Sequence, residues 1–432
     1  MTRIGHVECT HGARDIPSHS YYFVRLNTVF TRLPIHILAE PIISAARHFR
    51  RASALSLMGL ALACALEASA QSTPPTAYPF SWSGVSAYTI QVGPAGQADV
   101  AHIDEVIERI SSGELKQRGV EAIIVSVPME QAPVALAQSS DADPTPPCAI
   151  AGRMVAGAVG GPEGLKTLTE AAYEQDQRTV LQIQGEAWCG QADAEAFSAL
   201  RLETGLDGVL VNSAQALEAA DLALIRSEDA EAPPWVGVEF ENEEQAATSP
   251  LLPHIDAALT RNWILPQNPD EAAARSFFSR SVGFAVDHPE VSNIAMMSDS
   301  GPLSLQDVTA LMLQPGAINV QDAQVGTDPS VFAHLQTMGT FRDRHPAIGE
   351  GAHEDISEGP YIFYRGLRMG AEVDEVLVVL GAQGEVRLNV SVVFDDDTIL
   401  RDAYTGNVGF VSYGQIRLTA HEHGVMLLEE VK

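Results

Sequence analysis

The chain has 432 residues, 46% of them apolar, with ordinary glycine and proline content; this is a globular composition and excludes extended disorder. The formal net charge is −30, and Lys116, Lys166 and Lys432 are the only lysines. A surface this acidic repels phosphate backbones and anionic lipid, which excludes nucleic-acid binding and polybasic membrane docking.

Residues 48–70 have the pattern of an export signal. His48-Phe-Arg-Arg51 is a basic start, residues 52–66 form an apolar core too short to span a bilayer, and Ala68-Ser-Ala70 is a small-residue cleavage site. The expected location is periplasmic or secreted, with no integral membrane segment once the signal is removed. Ala61-Leu-Ala-Cys64 is a poor lipid-attachment box, which argues against a lipoprotein. Residues 1–47 precede the signal and are read as an extension outside the fold. Removing residues 1–70 leaves 19 basic and 52 acidic side chains, a net charge of −33, and two cysteines, Cys148 and Cys189. Each cysteine follows a predicted strand on the same side of the domain. A bridge, which an oxidising compartment permits, and a pair of buried thiols both remain open.

After a proline-rich lead-in over 73–79, residues 86–92 form a first apolar run. The spacing of Ile103, Val106, Ile107, Ile110 and Leu115 predicts a helix over 103–117. Residues 120–127 are almost wholly apolar and β-branched, as in parallel strands covered on both faces. A loop over 129–151 follows. Helices are expected at 164–175, 192–204, 217–226, 271–285, 305–313 and 331–344. Strands are expected at 179–184, 208–212, 235–240, weakly around Ile264, at 293–297 and at 317–320. Residues 241–253 read as an acidic loop. This alternation predicts a (β/α)8 TIM barrel over about 80–348. Beyond Ile348 the pattern changes to short alternating runs at 361–365, 375–380, 386–394, 399–404, 415–418 and 424–429. That is a small C-terminal antiparallel β-sandwich over 357–432.

Several segments resemble the α-amylase family (glycoside hydrolase family 13), in the family's order over about 80–432. Leu115-Lys-Gln-Arg-Gly-Val-Glu-Ala-Ile-Ile-Val-Ser-Val-Pro128 is similar to its second helix–strand pair. Gly160-Gly-Pro-Glu-Gly-Leu-Lys-Thr-Leu168 resembles the entry to its third helix, and Leu313-Gln-Pro-Gly316 the turn before its last strand. Arg342-Asp-Arg-His-Pro346 resembles the end of the helix that leaves the barrel. Val376-Leu-Val-Val-Leu380 and Gly424-Val-Met-Leu-Leu428 are similar to the first and last strands of the family's C-terminal domain.

The resemblance implies carboxylates at set strand ends, and the chain departs from the pattern there. A retaining glycosidase needs a carboxylate nucleophile and a carboxylic acid ~5–5.5 Å apart. Asn212 occupies the nucleophile position, and an amide has no anionic oxygen with which to form a glycosyl ester. Leu210 replaces the arginine two residues earlier. The acid position falls on Val238 or, one residue late, on Glu239. Because successive strand residues face opposite ways, Glu239 is expected to need a bulge to serve. Ser300 stands for the third carboxylate and Asp299 for a histidine. Gln182, Glu186 and Ala187 replace the family's third-strand motif, and Trp188–Gln191 is too short a link for the usual inserted calcium-binding domain. No metal and no cofactor are expected.

Glu186, Trp188, Asn212, Glu239 and Asp299 are therefore candidate ligand-binding residues at the barrel mouth, with Trp188 also readable as core. His421 and His423 flank Glu422 and would share a face of a strand, which suits a metal or a solvated edge. The expectation is an exported α-amylase-like protein that is inactive or impaired and acts by binding an α-glucan, an oligosaccharide or a partner. Two alternatives stand beside it: an active α-glucan hydrolase or transglycosylase with a relocated carboxylate pair, and an interaction protein without sugar affinity.

Overall fold

The computed structural model describes residues 81–94, 100–131, 148–227, 233–267, 269–298, 301–326 and 328–431. The signal at 48–70, and Asp299 and Ser300, lie outside these. Eight parallel strands close into a barrel: β1 (Ser86–Gln91), β2 (Ala122–Ser126), β3 (Arg178–Ile183), β4 (Gly208–Val211), β5 (Trp235–Phe240), β6 (Ala257–Leu265), β7 (Ser292–Met297) and β8 (Ala317–Gln321). Each pairs with its sequence neighbours, and β8 returns to β1. Among the described residues the helices longer than one turn are, in chain order, α1 (Ile103–Ser111), α2 (Gly161–Glu174), α3 (Gln191–Thr204), α4 (Ala219–Ser227), α5 (Glu243–Thr248), α6 (Glu271–Asp287), α7 (Leu305–Met312) and α8 (Pro329–Arg344). The strands bury both faces, which is why their sequences are near-continuous apolar runs.

Strand alternation separates two cores. Val209, Val211, Val236 and Val238 pack outward with the helices. Ala87, Ala122, Ile124, Val180, Leu210, Trp235, Ala257, Leu259, Ile294 and Ala317 fill the barrel interior. Four alanines in that layer make room for Trp235, which stacks on Trp82 beneath it at 5.1 Å between ring centroids. The Trp235 ring also lies over Gly237, where a Cβ would come within 2.6 Å of Cη2. Only glycine fits there.

The lower end of the barrel is closed by carboxylates and one arginine. Glu121, Asp207 and Asp256 each precede an even-numbered strand and accept the backbone N–H of Ser86, Thr179 and Val236, at the start of the preceding odd strand, at 2.9, 2.8 and 2.7 Å. Burial pushes the Glu121 carboxyl up to about 7. Arg342, near the end of α8 and 3% exposed, donates to the carbonyls of Met312 and Gln314 at 2.9 and 2.6 Å, to Gly84 at 3.0 Å, and to Gly316. Burial lowers its pKa to about 10, so the guanidinium stays charged at neutral pH.

Several expectations are corrected. The helix expected over 103–117 breaks at Gly113, which adopts φ +75°, and resumes as Glu114–Gln117. Within the expected loop over 129–151, Met129–Gln131 pairs with Arg153–Val155 in a short antiparallel ribbon. The acidic loop over 241–253 contains α5, whose N-cap Asn242 accepts from Gln245 N. β6 is nine residues long. Its register on β7 moves from Leu259↔Ile294 to Ile264↔Met296, and this bulge breaks the alternation that would have revealed the strand. Trp263, within the bulge, packs edge-on against Phe284 at 4.6 Å.

The antiparallel strands that follow the barrel begin at Ala352. A six-stranded antiparallel sheet contains β9 (Ala352–Glu358), β10 (Tyr361–Met369), β11 (Glu372–Leu380), β13 (Ile399–Asp402), β14 (Val408–Phe410) and β16 (Met426–Glu430). A second sheet pairs β12 (Glu385–Asn389) with β15 (Gln415–Thr419). β9 and β14 were not expected. β9 is largely polar, and β14 has only three residues.

His345, just past α8, joins barrel to sandwich. Its Nδ1 lies 2.7 Å from Asp374 and its Nε2 2.5 Å from Glu429, and Glu429 also pairs with Arg344 and Arg401. Burial opposes the charge on His345, but the two carboxylates outweigh it and raise its pKa. Glu429 is held down to about 2, its own burial outweighed by His345 and the arginines.

Two outcomes follow from these contacts. Replacing Arg342 with Met leaves four buried carbonyls without their donor, and urea unfolding should show a loss of at least ~3 kcal/mol; Arg342→Lys should recover little, because an ammonium lacks the planar fork. The His345 contribution is complete below the ordinary imidazole value of 6.5 and fades as pH rises through the raised value. The Glu429 contribution is complete above 4.5 and fades as pH falls toward about 2. Thermal stability should therefore peak between those limits, and His345→Gln should flatten the alkaline side of the profile.

Candidate functional site

The inward rows of the barrel emerge at its C-terminal end, where active sites of this architecture lie. There the side chains become partly or fully exposed: Gln91, Ser126, Gln182, Gln184, Asn212, Glu239, Met296, Ser298 and Gln321. Below them Thr89 Oγ1 donates to Asn319 Oδ1 at 2.9 Å. The mouth is thus lined largely by neutral amides and hydroxyls. Glu239 is the one carboxylate within the eight strands.

Asn212 follows β4 directly, in line with the inward Leu210. Its Oδ1 accepts the N–H of Gly185 at 3.0 Å, and its Nδ2 donates to Gln184 Oε1 at 3.0 Å. Both ends of the amide are engaged by the turn after β3. That turn approaches β4 so closely that a Cβ on Gly185 would sit 2.1 Å from Ser213 O. Gly185 is therefore required for the contact that orients Asn212.

Of the two candidates for the acid position, Val238 faces the helices and is fully buried. Glu239 shares the row of Trp235 and Gly237 and faces the interior. The register Leu210↔Gly237 and Val211↔Val238 continues without a bulge, so Glu239 comes level with Asn212 on the adjacent strand. No re-aiming bulge is needed: regular alternation already brings Glu239 inward.

Glu186 is exposed on the 3-10 turn Gly185–Ala187. Trp188 is 6% exposed and its indole N–H donates to Asp221 at 3.0 Å, so its ring belongs to the core rather than to a sugar platform. Cys148 and Cys189 form a disulfide with Cα atoms 5.4 Å apart. Beside it Asp193, fully buried in the first turn of α3, accepts the backbone N–H groups of Ala149 at 3.2 Å, Ile150 at 2.7 Å, Ala151 at 2.6 Å and Cys189 at 2.7 Å. The loops after β2 and β3 are thereby pinned to each other and to α3. Sequence reasoning missed this role of Asp193, since a lone acid in a helix's first turn carries no distinctive pattern. It also missed the ring of strand-end amides, although Gln91, Gln184 and Gln321 were visible as polar residues closing apolar runs. His421, Glu422 and His423 lie far along the chain, in the turn between β15 and β16 rather than on a strand.

No family model matches the chain, and no curated protein matches it. Solved structures do. The α-amylase from Geobacillus thermoleovorans, complexed with acarbose, is 11% identical, with a TM-score of 0.62 over 82% of this chain and 100% of that one. The noncanonic maltogenic α-amylase AmyB from Thermotoga neapolitana is 11% identical, with a TM-score of 0.56 over 81% and 99%. The trehalose-6-phosphate hydrolase of Bacillus licheniformis is 10% identical, with a TM-score of 0.56 over 82% and 100%. The chain has the fold of the α-amylases, a (β/α)8 barrel with a C-terminal β-domain.

Serine replacement of both Cys148 and Cys189 should lower stability by about 2–4 kcal/mol in urea unfolding, because the bridge closes a long loop of the unfolded chain. The loss should match that of the reduced parent chain.

Proposed function

We propose that this chain is an exported member of the α-amylase family that binds an α-glucan or oligosaccharide, or a partner, at the barrel mouth and has lost or nearly lost hydrolysis. The observation that carries this reading is Asn212. A double displacement at the anomeric carbon needs an anionic oxygen on one side of the bond and a proton donor on the other. The amide of Asn212 supplies no such oxygen, and its hydrogen bonds to Gly185 and Gln184 hold it in place as a polar contact. Among the residues of the eight described strands Glu239 is the one carboxylate, and Asn212 on the adjacent strand offers no nucleophile. Amides and hydroxyls present donors and acceptors together, which suits the hydroxyl groups of a neutral sugar. The Geobacillus enzyme, which has the same fold, is complexed with acarbose, and this supports the reading. Export is supported by the signal pattern over 48–70 and by the Cys148–Cys189 bridge, a pairing that persists in oxidising compartments. Among the described residues, no helix is long and apolar enough to cross a membrane.

Calorimetric titration of the mature chain with maltoheptaose should give saturable heat, reduced about tenfold or more in Asn212→Ala, with no reducing sugar released from starch. A tenfold loss corresponds to ~1.4 kcal/mol, the scale of one or two lost hydrogen bonds. Reducing sugar released by the parent and abolished in Glu239→Gln would instead establish a working hydrolase with a relocated pair. An absence of heat with any glucan would leave an interaction protein.

A further inference from the structure

The turn between β15 and β16 presents three metal-ligating residues in succession, His421, Glu422 and His423. One ligand atom from each lies within 4.8 Å of the others. The turn is held from several directions. Gly424, at φ +74°, donates its N–H to His421 O at 2.9 Å, and Ala382 N donates to Gly424 O at 3.2 Å. The His421 ring packs edge-on against Tyr404 at 4.7 Å and lies 4.5 Å from the ring of His423. Tyr404 is fixed in turn, its hydroxyl 2.5 Å from His334 Nδ1, while His334 Nε2 lies 2.8 Å from Thr309 Oγ1. Both His334 nitrogens are thereby engaged, which leaves His421 and His423 as the imidazole donors of this cluster.

The His421 lone pair is already directed into the turn: Nδ1 accepts the His423 backbone N–H at 3.3 Å, a long bond that a cation would replace at small cost. His423 also borders a cleft of about 240 Å³ lined by Asp270, Gln306 and Thr309 of the barrel and by Gly381 and Val425 of the sandwich. The turn therefore stands where the two domains meet.

We propose that His421, Glu422 and His423 form a binding site for a divalent transition-metal cation of the zinc class. Two imidazole nitrogens and one carboxylate oxygen match the borderline-soft donor preference of Zn²⁺, with solvent completing four-coordination. The same set disfavours Ca²⁺ and Mg²⁺, which take oxygen ligands in larger number. The cysteines do not compete, because they are joined to each other. A cation here fastens the β15–β16 turn, and through Tyr404 and His334 it steadies the seam between sandwich and α8. The site is independent of the barrel mouth and of any sugar bound there.

The test is calorimetric titration of the full mature chain with Zn²⁺, paired with thermal melting. The parent should bind one equivalent that the double variant His421→Ala/His423→Ala lacks, and saturating Zn²⁺ should raise Tm in the parent but not in the variant, as expected for a ligand of the native state. Glu422→Gln, an isosteric change at an exposed position, should weaken that equivalent about tenfold or more while leaving the metal-free melt unchanged. Co²⁺ in place of Zn²⁺ should give visible absorption of a four-coordinate nitrogen–oxygen site, lost in the same variants. Equal Zn²⁺ stoichiometry in parent and double variant, or binding of Ca²⁺ as tight as Zn²⁺, would overturn the proposal. So would a Glu422→Gln chain that binds Zn²⁺ as the parent does.

Discussion

One buried cation holds the lower end of this barrel together. Glu121 and Glu350 act on Arg342 through their charge, and neither takes a hydrogen bond from its fork. Its fork is spent on four backbone carbonyls that converge from the turn after α7, from Gly316 ahead of β8 and from Gly84 ahead of β1. Those three segments meet where the first and last strands must close the ring. A buried carbonyl without a donor is costly, and a guanidinium supplies several donors in fixed directions at once. Three carboxylates, Glu121, Asp207 and Asp256, do the reciprocal work for strand N–H groups around the same rim. Polar groups at the starts of β1, β3 and β5, and the carbonyls ahead of β1 and β8, are thus answered by side chains.

The upper rim is organised by a different rule. Alternation along β4 and β5 brings Asn212 and Glu239 inward and level with each other, and the close approach of Gly185 to Ser213 fixes the amide in its place. The bridge between Cys148 and Cys189, with Asp193 gathering four N–H groups beside it, anchors the neighbouring loops. The frame that holds polar side chains at the mouth is well built. Among the described strand-end residues what it holds is mostly uncharged, and the proposed separation of sugar recognition from cleavage rests on that combination.

The architecture was legible in the sequence because its signals are local. Apolar β-branched runs such as 120–127 declare buried parallel strands, and the helix periodicities between them declare the crossovers. The segments that resembled a known family prove to be structural for the same reason: Leu313-Gln-Pro-Gly316 and Arg342-Asp-Arg-His-Pro346 are the two halves of the Arg342 staple, and His345 is the link to the sandwich. The facing of Glu239 was not legible. The family motif leaves the acid position on Val238 or, one residue late, on Glu239, whereas the direction of a strand residue is set by register and by what fills the interior beneath it, here Trp235 lying across Gly237. β6 was nearly invisible because its bulge interrupts the period, and β9 because its polar residues do not alternate clearly. The burial of Trp188 depended on Asp221, 33 residues away, and no local pattern encodes such a partner.

The shortness of the link between β3 and α3 has a consequence for shape. Where Gly185 touches Ser213 there is no space for an inserted module, and α3 begins at Gln191. On that side the chain passes from β3 to α3 through the single 3-10 turn Gly185–Ala187 and the bridged Cys189, so the strand-end residues Gln182 and Gln184 sit on a short, covalently tied path.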